Sequence, residues 1–502
     1  MRTTCYIALL FFLILNFDTE NKSFAQSSYE TWEKFEFKGF KGEVQNVLFS
    51  KDGSLVYGLG KEGRFNGAGK TLKAWNVSDG KEKFVIKNIN SYVFSRDSKM
   101  MITWGGAETE DIPSDNNVII WDAIEGNQLF NLGKHRILNI EFSSNYKKVI
   151  GNTIAGDFFR RIPKLKIWDL TKNGEEIKSL DGTGIFDGNG KNIVFFDNES
   201  DSINILDSIT LEPVPAPKRI HSGKELLLTK SFDGKKVVSV SVEKNNQSLL
   251  KVWDFSKNKD LVDEEKELFE FEEKYKVSNV IFSPDGKKLL TRGLKNGKDI
   301  LVSIWNINTG KKLFSFNNDQ AQSNTFAFNE GELIGIGNVT FDGQYIQNTF
   351  KILDASINKE KEVFIYKAKM RFLENKDPLT IPLVFSPDGK KIASFNYVKY
   401  DSKSDEDQNP IKIWDTKTGE KILSLDGHGH AIRSLNGRSR NMDQSEHDVV
   451  SSFAFSPDGK MLASGSRNGS IKLWEISPPK NSSDAKNTIL RIFRCLINTK
   501  VM

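Results

Sequence analysis

The hydrophobic residues of this chain fall into short runs that turn-forming residues separate. In residues 277–316 the apolar-rich runs are Val277–Phe282, Lys288–Thr291, Ile300–Trp305 and Lys312–Phe316. Ser283-Pro284-Asp285-Gly286 lies between the first two runs, with Pro and Gly where tight turns prefer them. Runs this short, with turns between them, predict four antiparallel strands.

The third run of each such unit ends in Trp-Asp or a near relative of it. The nine copies are Trp75-Asn76, Trp121-Asp122, Trp168-Asp169, Leu206-Asp207, Trp253-Asp254, Trp305-Asn306, Leu353-Asp354, Trp414-Asp415 and Trp474-Glu475, with gaps of 38 to 61 residues. A recurrence at this spacing predicts a repeat architecture. The seven tryptophans in these pairs are therefore predicted to be core residues that mark third strands.

One copy of the pattern is nearly complete. It runs Phe455-Ser456-Pro457-Asp458-Gly459-Lys460-Met461-Leu462-Ala463-Ser464-Gly465-Ser466 and continues as Gly469-Ser470-Ile471-Lys472-Leu473-Trp474. Together with the other copies it resembles the WD40 family of β-propellers, and the resemblance covers residues 32–476. It implies an all-β fold, a single propeller of four-stranded blades. Nine blades are predicted, or eight if the weakest unit, Gly184–Pro217, is an irregular insert.

The first turn of the unit recurs along the chain. Its copies are Asp52-Gly53, Asp187-Gly188, Asp233-Gly234, Asp285-Gly286, Asp388-Gly389 and Asp458-Gly459. In the family, a Gly-His pair before the first strand joins a buried network with an Asp and the Trp, and here only Gly427-His428 fits. Most blades must do without that network, so apolar packing between blades is expected to hold the ring.

The two ends of the repeat region predict how the ring closes. The last unit has only three strands before Pro478-Pro479, which cannot continue a strand well. Glu33–Lys38 reads like the fourth strand Glu267–Phe271. We therefore expect this N-terminal segment to complete the last blade, which covers two sheet edges that would otherwise invite aggregation.

The segments outside the repeats predict an exported protein. Residues 1–25 combine Arg2, an apolar run and Ser23-Phe24-Ala25, which is typical of a signal peptide with cleavage after Ala25. A short linker, 26–31, leads to the propeller, 32–476. This organisation favours a periplasmic or secreted, bacterial protein. An uncleaved anchor is the alternative.

Charge narrows the class of partner. The chain has 71 Lys and Arg against 66 Asp and Glu, a net charge of +5, and the tail 477–502 holds +4 of it. No basic face is evident in the repeats, which argues against nucleic acid as a partner. In the tail, Ile489, Ile492, Phe493 and Leu496 predict a short amphipathic helix. It either docks back onto the propeller or makes weak membrane-surface contact.

Chain length between strands indicates where partners bind. The meander places most long connections, 60–70, 105–117, 151–164, 397–410 and 427–448, on one face, conventionally the top, and the bottom turns are mostly short apart from Ser256–Lys266. The residues with hot-spot composition in these loops are Phe158, Phe159, Arg160, Arg161, Arg64, Phe65, His430 and Arg433. We predict a monomeric, non-catalytic scaffold that binds a protein or peptide there. Packing of the phenylalanines under their own loop is the alternative.

The sequence motifs that could indicate nucleotide binding, metal binding or catalysis are weak. Gly67-Ala68-Gly69-Lys70-Thr71 resembles the end of a phosphate-binding loop, but it joins two strands and lacks the upstream glycine. His428, His430 and His447 share one loop with Asp443 and Asp448, which leaves a metal site open as a minor possibility. No cofactor is predicted. An enzyme or metal-dependent binder with its site in the central channel is the alternative function.

Overall fold

The computed structural model describes most of the repeat region. The described residues are 33–62, 69–105, 117–156, 162–187, 190–199, 202–214, 226–243, 246–254, 267–295, 299–318, 321–328, 333–342, 345–354, 362–371, 382–395, 411–425, 428 and 449–476. Within these ranges the structure consists of β-strands, turns and one short 3₁₀ turn, Leu170–Lys172.

The first strands follow the predicted order. After β1 (Glu33–Lys38), unit 1 contains β2 (Val44–Phe49), β3 (Leu55–Lys61), β4 (Lys70–Asn76) and β5 (Glu82–Ile89). Unit 2 contains β6 (Ser91–Phe94), β7 (Met100–Trp104), β8 (Asn117–Asp122) and β9 (Gln128–Lys134). Unit 3 contains β10 (Ile137–Phe142), β11 (Lys148–Ala155), β12 (Ile162–Asp169) and the first part of β13 (Glu175–Phe186).

The middle of the chain continues the same meander. Unit 4 contains the second part of β13, β14 (Asn192–Asp197), β15 (Ser202–Asp207) and β16 (Pro213–Val214). Unit 5 contains β17 (Leu226–Lys230), β18 (Lys236–Val242), β19 (Ser248–Asp254) and β20 (Glu267–Glu273). Unit 6 contains β21 (Lys276–Phe282), β22 (Lys288–Lys295), β23 (Asp299–Asn306) and β24 (Lys311–Asn318).

The last three units complete the series. Unit 7 contains β25 (Ala321–Phe328), β26 (Leu333–Asp342), β27 (Tyr345–Asp354) and β28 (Glu362–Arg371). Unit 8 contains β29 (Leu383–Phe385), β30 (Lys391–Phe395), β31 (Ile411–Asp415) and β32 (Lys421–Leu425). Unit 9 contains β33 (Val450–Phe455), β34 (Met461–Ser466) and β35 (Ser470–Glu475).

The strand pairing makes these units separate antiparallel sheets, except where β13 runs on from unit 3 into unit 4. Residues Glu175–Asp181 of β13 pair with β12, and Gly182–Phe186 pair with β14. The seven-stranded sheet that results is therefore two four-stranded units that share one long strand. Segment Gly184–Pro217, for which an irregular insert was considered, contains strands of unit 4.

The N-terminal strand lies where the sequence places it. β1 pairs antiparallel with β35, and Phe37 stands opposite Ile471. The fourth strand of unit 9 thus comes from the opposite end of the described chain. Unit 9 also packs on unit 1, because β2 lies against β33 and β34. The number of blades and the closure of one ring stay predictions.

Apolar side chains fill the space between neighbouring units. Between units 5 and 6, Val238 and Phe271 share a cluster with Trp305. Between units 9 and 1, Phe37 stacks on Trp75 with ring centroids 5.0 Å apart. Burial of this kind contributes about 25 cal/mol for each Å² of apolar surface removed from water, so these seams are a principal source of stability.

Candidate interaction site

The meander sorts the connections onto two faces. Connections from the second to the third strand, and from one unit to the next, lie on the top face. Seven connections of six or more residues between described strands lie on this face, and they are β3 to β4, β7 to β8, β11 to β12, β16 to β17, β28 to β29, β30 to β31 and β32 to β33. The opposite, bottom face carries the first-to-second turns, which are short in eight of the units described, and the third-to-fourth connections, of which β19 to β20 and β27 to β28 are the long ones.

The predicted partner-binding residues all lie outside the described residues. They are Arg64, Phe65, Phe158, Phe159, Arg160, Arg161, His430 and Arg433. The signal segment, the linker up to residue 31, and the C-terminal tail are outside them as well. What the structure adds for these loops is the position of the strand ends that carry them.

The Trp-Asp pairs have a structural role. Each pair ends the third strand of its unit, and six of the seven tryptophans are buried, while Trp121 is partly exposed. In five of the nine copies the carboxylate or amide oxygen of the second residue caps the turn that follows. Asp415 Oδ1 accepts from the backbone N–H of Lys417 and Thr418 at 2.8 Å, and Asp207 and Asn306 cap their turns in the same way. Such caps stabilise local turns.

In four units the tryptophan N–H has its own partner on the second strand, which sequence reasoning missed. The partner lies two residues beyond the residue that pairs with the tryptophan. The four pairs are Trp121 to Thr103 at 2.7 Å, Trp253 to Ser239 at 3.0 Å, Trp414 to Ser394 at 3.0 Å and Trp474 to Ser464 at 2.8 Å. A buried indole N–H needs an acceptor, and the hydroxyl supplies it.

The same position changes character where the tryptophan is absent. In the units where Leu206 and Leu353 replace the tryptophan, the residues at this second-strand position are Phe195 and Ile336. In unit 3 the position is Gly151, and the Trp168 N–H is buried with no hydrogen-bond partner. The pairing of Trp with a hydroxyl is therefore a detectable signal, but variable loops hide it by spacing the two residues 10 to 20 positions apart in sequence.

The histidine expected in a buried network is found in one. His428 is 1% exposed, its Nε2 lies 2.7 Å from Ser464 Oγ, and its Nδ1 lies 3.5 Å from Ser470 Oγ. Ser464 also accepts the Trp474 N–H, so His428 connects to the tryptophan through a serine rather than an aspartate. The other candidate metal ligands lie outside the described residues. Within the described ranges, no group of three His, Cys, Asp or Glu side chains is arranged to hold a metal.

Unit 6 builds an equivalent network around a carboxylate. Glu273 ends β20 of unit 5 and is 1% exposed. Its Oε1 accepts from Trp305 at 2.9 Å and from Thr291 at 3.0 Å, and its Oε2 accepts from Lys312 at 2.8 Å. The Tyr275 hydroxyl lies 3.1 Å from Thr291 Oγ1. Burial, followed by the Glu273 charge, raises the Tyr275 pKa above its ordinary value.

An ion pair that also bonds to backbone groups holds unit 4 to its neighbours. Lys230 Nζ lies 2.6 Å from Glu141 Oε2, so an ion pair joins the innermost strands of units 3 and 5. Between them, Phe186 of unit 4 donates its N–H to Glu141 at 2.6 Å and accepts at its carbonyl from Lys230 at 3.2 Å. The pair thus satisfies both backbone groups of one edge residue. Neighbouring units have Phe at the position of Lys230, so the sequence already shows this lysine as a departure from the repeat.

The bottom turns repeat one hydrogen-bond pattern. In unit 1, Ser50 Oγ donates to Asp52 Oδ1 at 2.6 Å and accepts the Leu55 N–H at 2.9 Å. The same pair lowers the pKa of Asp52 below its ordinary value, with the Ser50 hydrogen bond as the largest cause. Equivalent Ser-to-Asp bonds occur at Ser95–Asp97, Ser231–Asp233, Ser283–Asp285, Ser386–Asp388 and Ser456–Asp458.

The turn of unit 4 corrects the sequence alignment. The predicted turn pair was Asp187-Gly188, by analogy with Asp52-Gly53. Instead Gly190, with φ 71°, takes the glycine position, and its N–H bonds the Asp187 carbonyl as the Gly53 N–H bonds Ser50. Asp187 therefore occupies the serine position. Burial raises its pKa, and its Oδ1 has no hydrogen-bond partner while Oδ2 accepts from Asn192.

Comparison with known proteins agrees with this architecture. Residues 438–475 match the family model described as WD domain, G-beta repeat. Over 202 residues, 40% of this chain, the sequence is 23% identical to Periodic tryptophan protein 2 homolog of Dictyostelium discoideum, and the alignment covers 17% of that protein. The chain thus spans about a sixth of the length of this relative.

Solved structures are similar in fold. The crystal structure of Sqt1 from Chaetomium thermophilum superposes with a TM-score of 0.50 at 15% identity, over 89% of this chain and 100% of that one. A structure described as the eukaryotic initiation factor gives a TM-score of 0.48 at 16% identity, over 80% and 91%. The fold is that of a WD40-like β-propeller. The chain carries a WD40 repeat in its last unit, the unit with the most complete motif.

A membrane-spanning helix is not found among the residues that the structure describes.

Proposed function

We propose that this protein is an exported, non-catalytic scaffold that binds a protein or peptide partner through the top face of a nine-bladed propeller. The kind of repeat it carries generally serves protein interaction. The Trp474 N–H, Ser464 and His428 bond to one another in the interior of unit 9 and serve its structure, which leaves the loops for binding.

The observation that carries the proposal is the one-sided distribution of long connections. Seven connections of six or more residues between described strands open on the top face and two, β19 to β20 and β27 to β28, on the bottom, where the first-to-second turns are nearly uniform. A rigid scaffold with extended loops on one face is the usual arrangement for binding. Phe158, Phe159, Arg160 and Arg161 are in one such connection, and their composition is that of interface hot spots.

The experiment is crosslinking of the exported protein in its own cells, followed by mass spectrometry. We expect crosslinks to a partner from residues 63–68, 157–161 or 426–448. A variant with Phe158→Ser, Phe159→Ser, Arg160→Gln and Arg161→Gln should lose the partner. Leu129→Ser is the matched control, because Leu129 is 41% exposed on the outer strand β9. Unchanged capture by the loop variant would refute the top-face assignment.

Export has a separate test. The mass of the protein recovered outside the cytoplasm should correspond to a chain that begins at Gln26. Recovery of a chain that retains residues 1–25 would contradict cleavage after Ala25.

A further inference from the structure

Unit 4 is the least complete of the units that the described residues form. Its fourth strand, β16, has two residues and pairs only with Ile205 and Leu206. The fourth strands of the other units have at least five residues. Leu206 also takes the place of the tryptophan that seven units carry. Because unit 4 has fewer backbone hydrogen bonds and a smaller residue in its seam, it is expected to open more readily than its neighbours.

Two contacts on the bottom face pass over unit 4. In a repeat architecture each unit normally contacts only the units next to it. Lys230 of unit 5, however, pairs with Glu141 of unit 3 at 2.6 Å. The guanidinium of Arg96, in unit 2, lies 5.3 Å from the centre of the Phe232 ring of unit 5. Both contacts start from one segment, Lys230–Phe232, at the beginning of the first turn of unit 5.

This segment departs from the repeat at both of its ends. Lys230 stands where neighbouring units have Phe, and Phe232 stands where other units have Pro, Lys, Arg or Ser. The residue between them keeps its ordinary role, because Ser231 Oγ donates to Asp233 Oδ1 at 2.7 Å as in the other turns. The turn therefore closes in the usual way, and the two unusual side chains make contacts outside their own unit.

The Lys230 contact encloses the backbone of unit 4. The Lys230 ammonium donates to the Phe186 carbonyl at 3.2 Å, and the Phe186 N–H donates to Glu141 at 2.6 Å. Phe186 is on the first strand of unit 4 and is 1% exposed. That strand cannot separate from units 3 and 5 without breaking both of these bonds, and hydrogen bonds to charged groups are stronger than neutral ones. Phe232 is 71% exposed, so its contact with Arg96 is the weaker of the two.

We infer that Lys230 and Phe232 form a clasp, which ties units 2, 3 and 5 together across unit 4 and keeps the least complete unit closed. The Lys230 side of the clasp holds the first strand of unit 4, and the Phe232 side extends the connection to unit 2. The opening of units 2–5 is thereby coupled, although units 2 and 5 are not neighbours in the repeat. The clasp lies on the opposite face from the loops of the proposed function and does not depend on them.

The first test is hydrogen exchange of the full chain with Lys230→Met and Phe232→Ser, made separately. Lys230→Met should lower the protection of β10 in unit 3 and β14 in unit 4 about tenfold or more, the effect of losing a hydrogen bond to a charged group. Phe232→Ser should lower the protection of β6 and β7 in unit 2 about two- to fivefold, as expected for an exposed cation–π contact. Lys235→Gln is the matched control on the same turn, because its ion pair, with Asp233 at 3.8 Å, stays within unit 5.

The second test measures the distance across the bottom face without removing the fold. Arg96→Cys and Phe232→Cys are combined in a chain with Cys5→Ser and Cys495→Ser, and a short bifunctional maleimide is added. We expect a peptide that links residues 96 and 232 from the folded chain, and its loss in urea. The inference is overturned if no such link forms in the folded chain, or if the loss of protection in both variants is confined to units 4, 5 and 6.

Discussion

The buried carboxylate of Glu273 provides the sharpest test of how neighbouring units are joined. Its two oxygens accept three hydrogen bonds from unit 6, from Trp305, Thr291 and Lys312. Removing one partner of a buried charged pair costs about 3–5 kcal/mol, because the remaining groups lose their partner without regaining water. Glu273→Ala is therefore expected to destabilise the seam between units 5 and 6 by about that amount.

The amide variant should behave differently. In Glu273→Gln the retained oxygen can still accept from Trp305 and Thr291, and the new amide faces the Lys312 ammonium. The Lys312 side chain is 35% exposed, so it can turn to water. The cost should fall to about 1.5–3 kcal/mol, the range for one hydrogen bond to a charged group. Glu273→Ala should therefore destabilise the seam between units 5 and 6 more than Glu273→Gln does.

The assay is native-state hydrogen exchange, which reports local opening in a protein too large for one two-state transition. Amides of β22 and β23 should lose protection in Glu273→Ala. Glu270→Ala is the matched control on the same strand, because Glu270 pairs with Lys251 at 2.9 Å but is 49% exposed. An exposed pair contributes about 0.2–1 kcal/mol. Equal loss of protection in both variants would refute the role of the Glu273 network.

Three further predictions follow from other contacts. Lys230→Met should lower protection of β14 by about 1–3 kcal/mol, because Phe186 and Glu141 lose a charged partner, and hydrogen exchange would show it. Asp187→Asn should raise the unfolding temperature at pH 7 more than at pH 4. The folded pKa of Asp187 is raised, so its ionised form opposes folding above that pKa, and a flat difference across pH would contradict this. Phe37→Ala should lower the protection of β35 amides in hydrogen exchange by about 3–5 kcal/mol if β1 completes the ring, and a change near zero would argue against closure.

The sequence was most informative where a residue does one thing in every unit. All nine Trp-Asp positions end a third strand; seven of them place a tryptophan there, and in five the side-chain oxygen of the second residue caps the turn that follows. The pairing of Glu33–Lys38 with β35 could also be predicted, because this segment is an amphipathic strand without a unit of its own.

The register of the first turn in unit 4 was harder to predict from the sequence, because two nearby glycines could take the glycine position of the turn. Asp187-Gly188 looks like the other turn pairs, but the structure uses Gly190 and shifts the unit by two residues. The shift brings Phe186, 1% exposed, to the position of Phe49 and Phe142. Burial of that ring outweighs the better turn dipeptide. Alignment on the phenylalanine rather than on Asp-Gly would have found it.

The networks were missed because they connect residues from different units. Glu273 precedes Trp305 by 32 positions, and Glu141 precedes Lys230 by 89. Neither sequence separation corresponds to a repeated pattern in the chain. The prediction that apolar packing is the main contact between blades stands beside these networks, in one of which a carboxylate replaces the histidine in unit 6.

The contrast between the two faces follows from how their turns are built. A bottom turn is closed by the serine hydroxyl, the aspartate and the glycine N–H together, so an inserted residue would break several hydrogen bonds at once. A top connection has no such lock and can lengthen without loss to the sheet. Length is thus the readable signal on the top face. The first-to-second turns of the bottom face therefore keep their length, and they differ from unit to unit in their side chains. Phe232, where other units have Pro, Lys, Arg or Ser, is that kind of change.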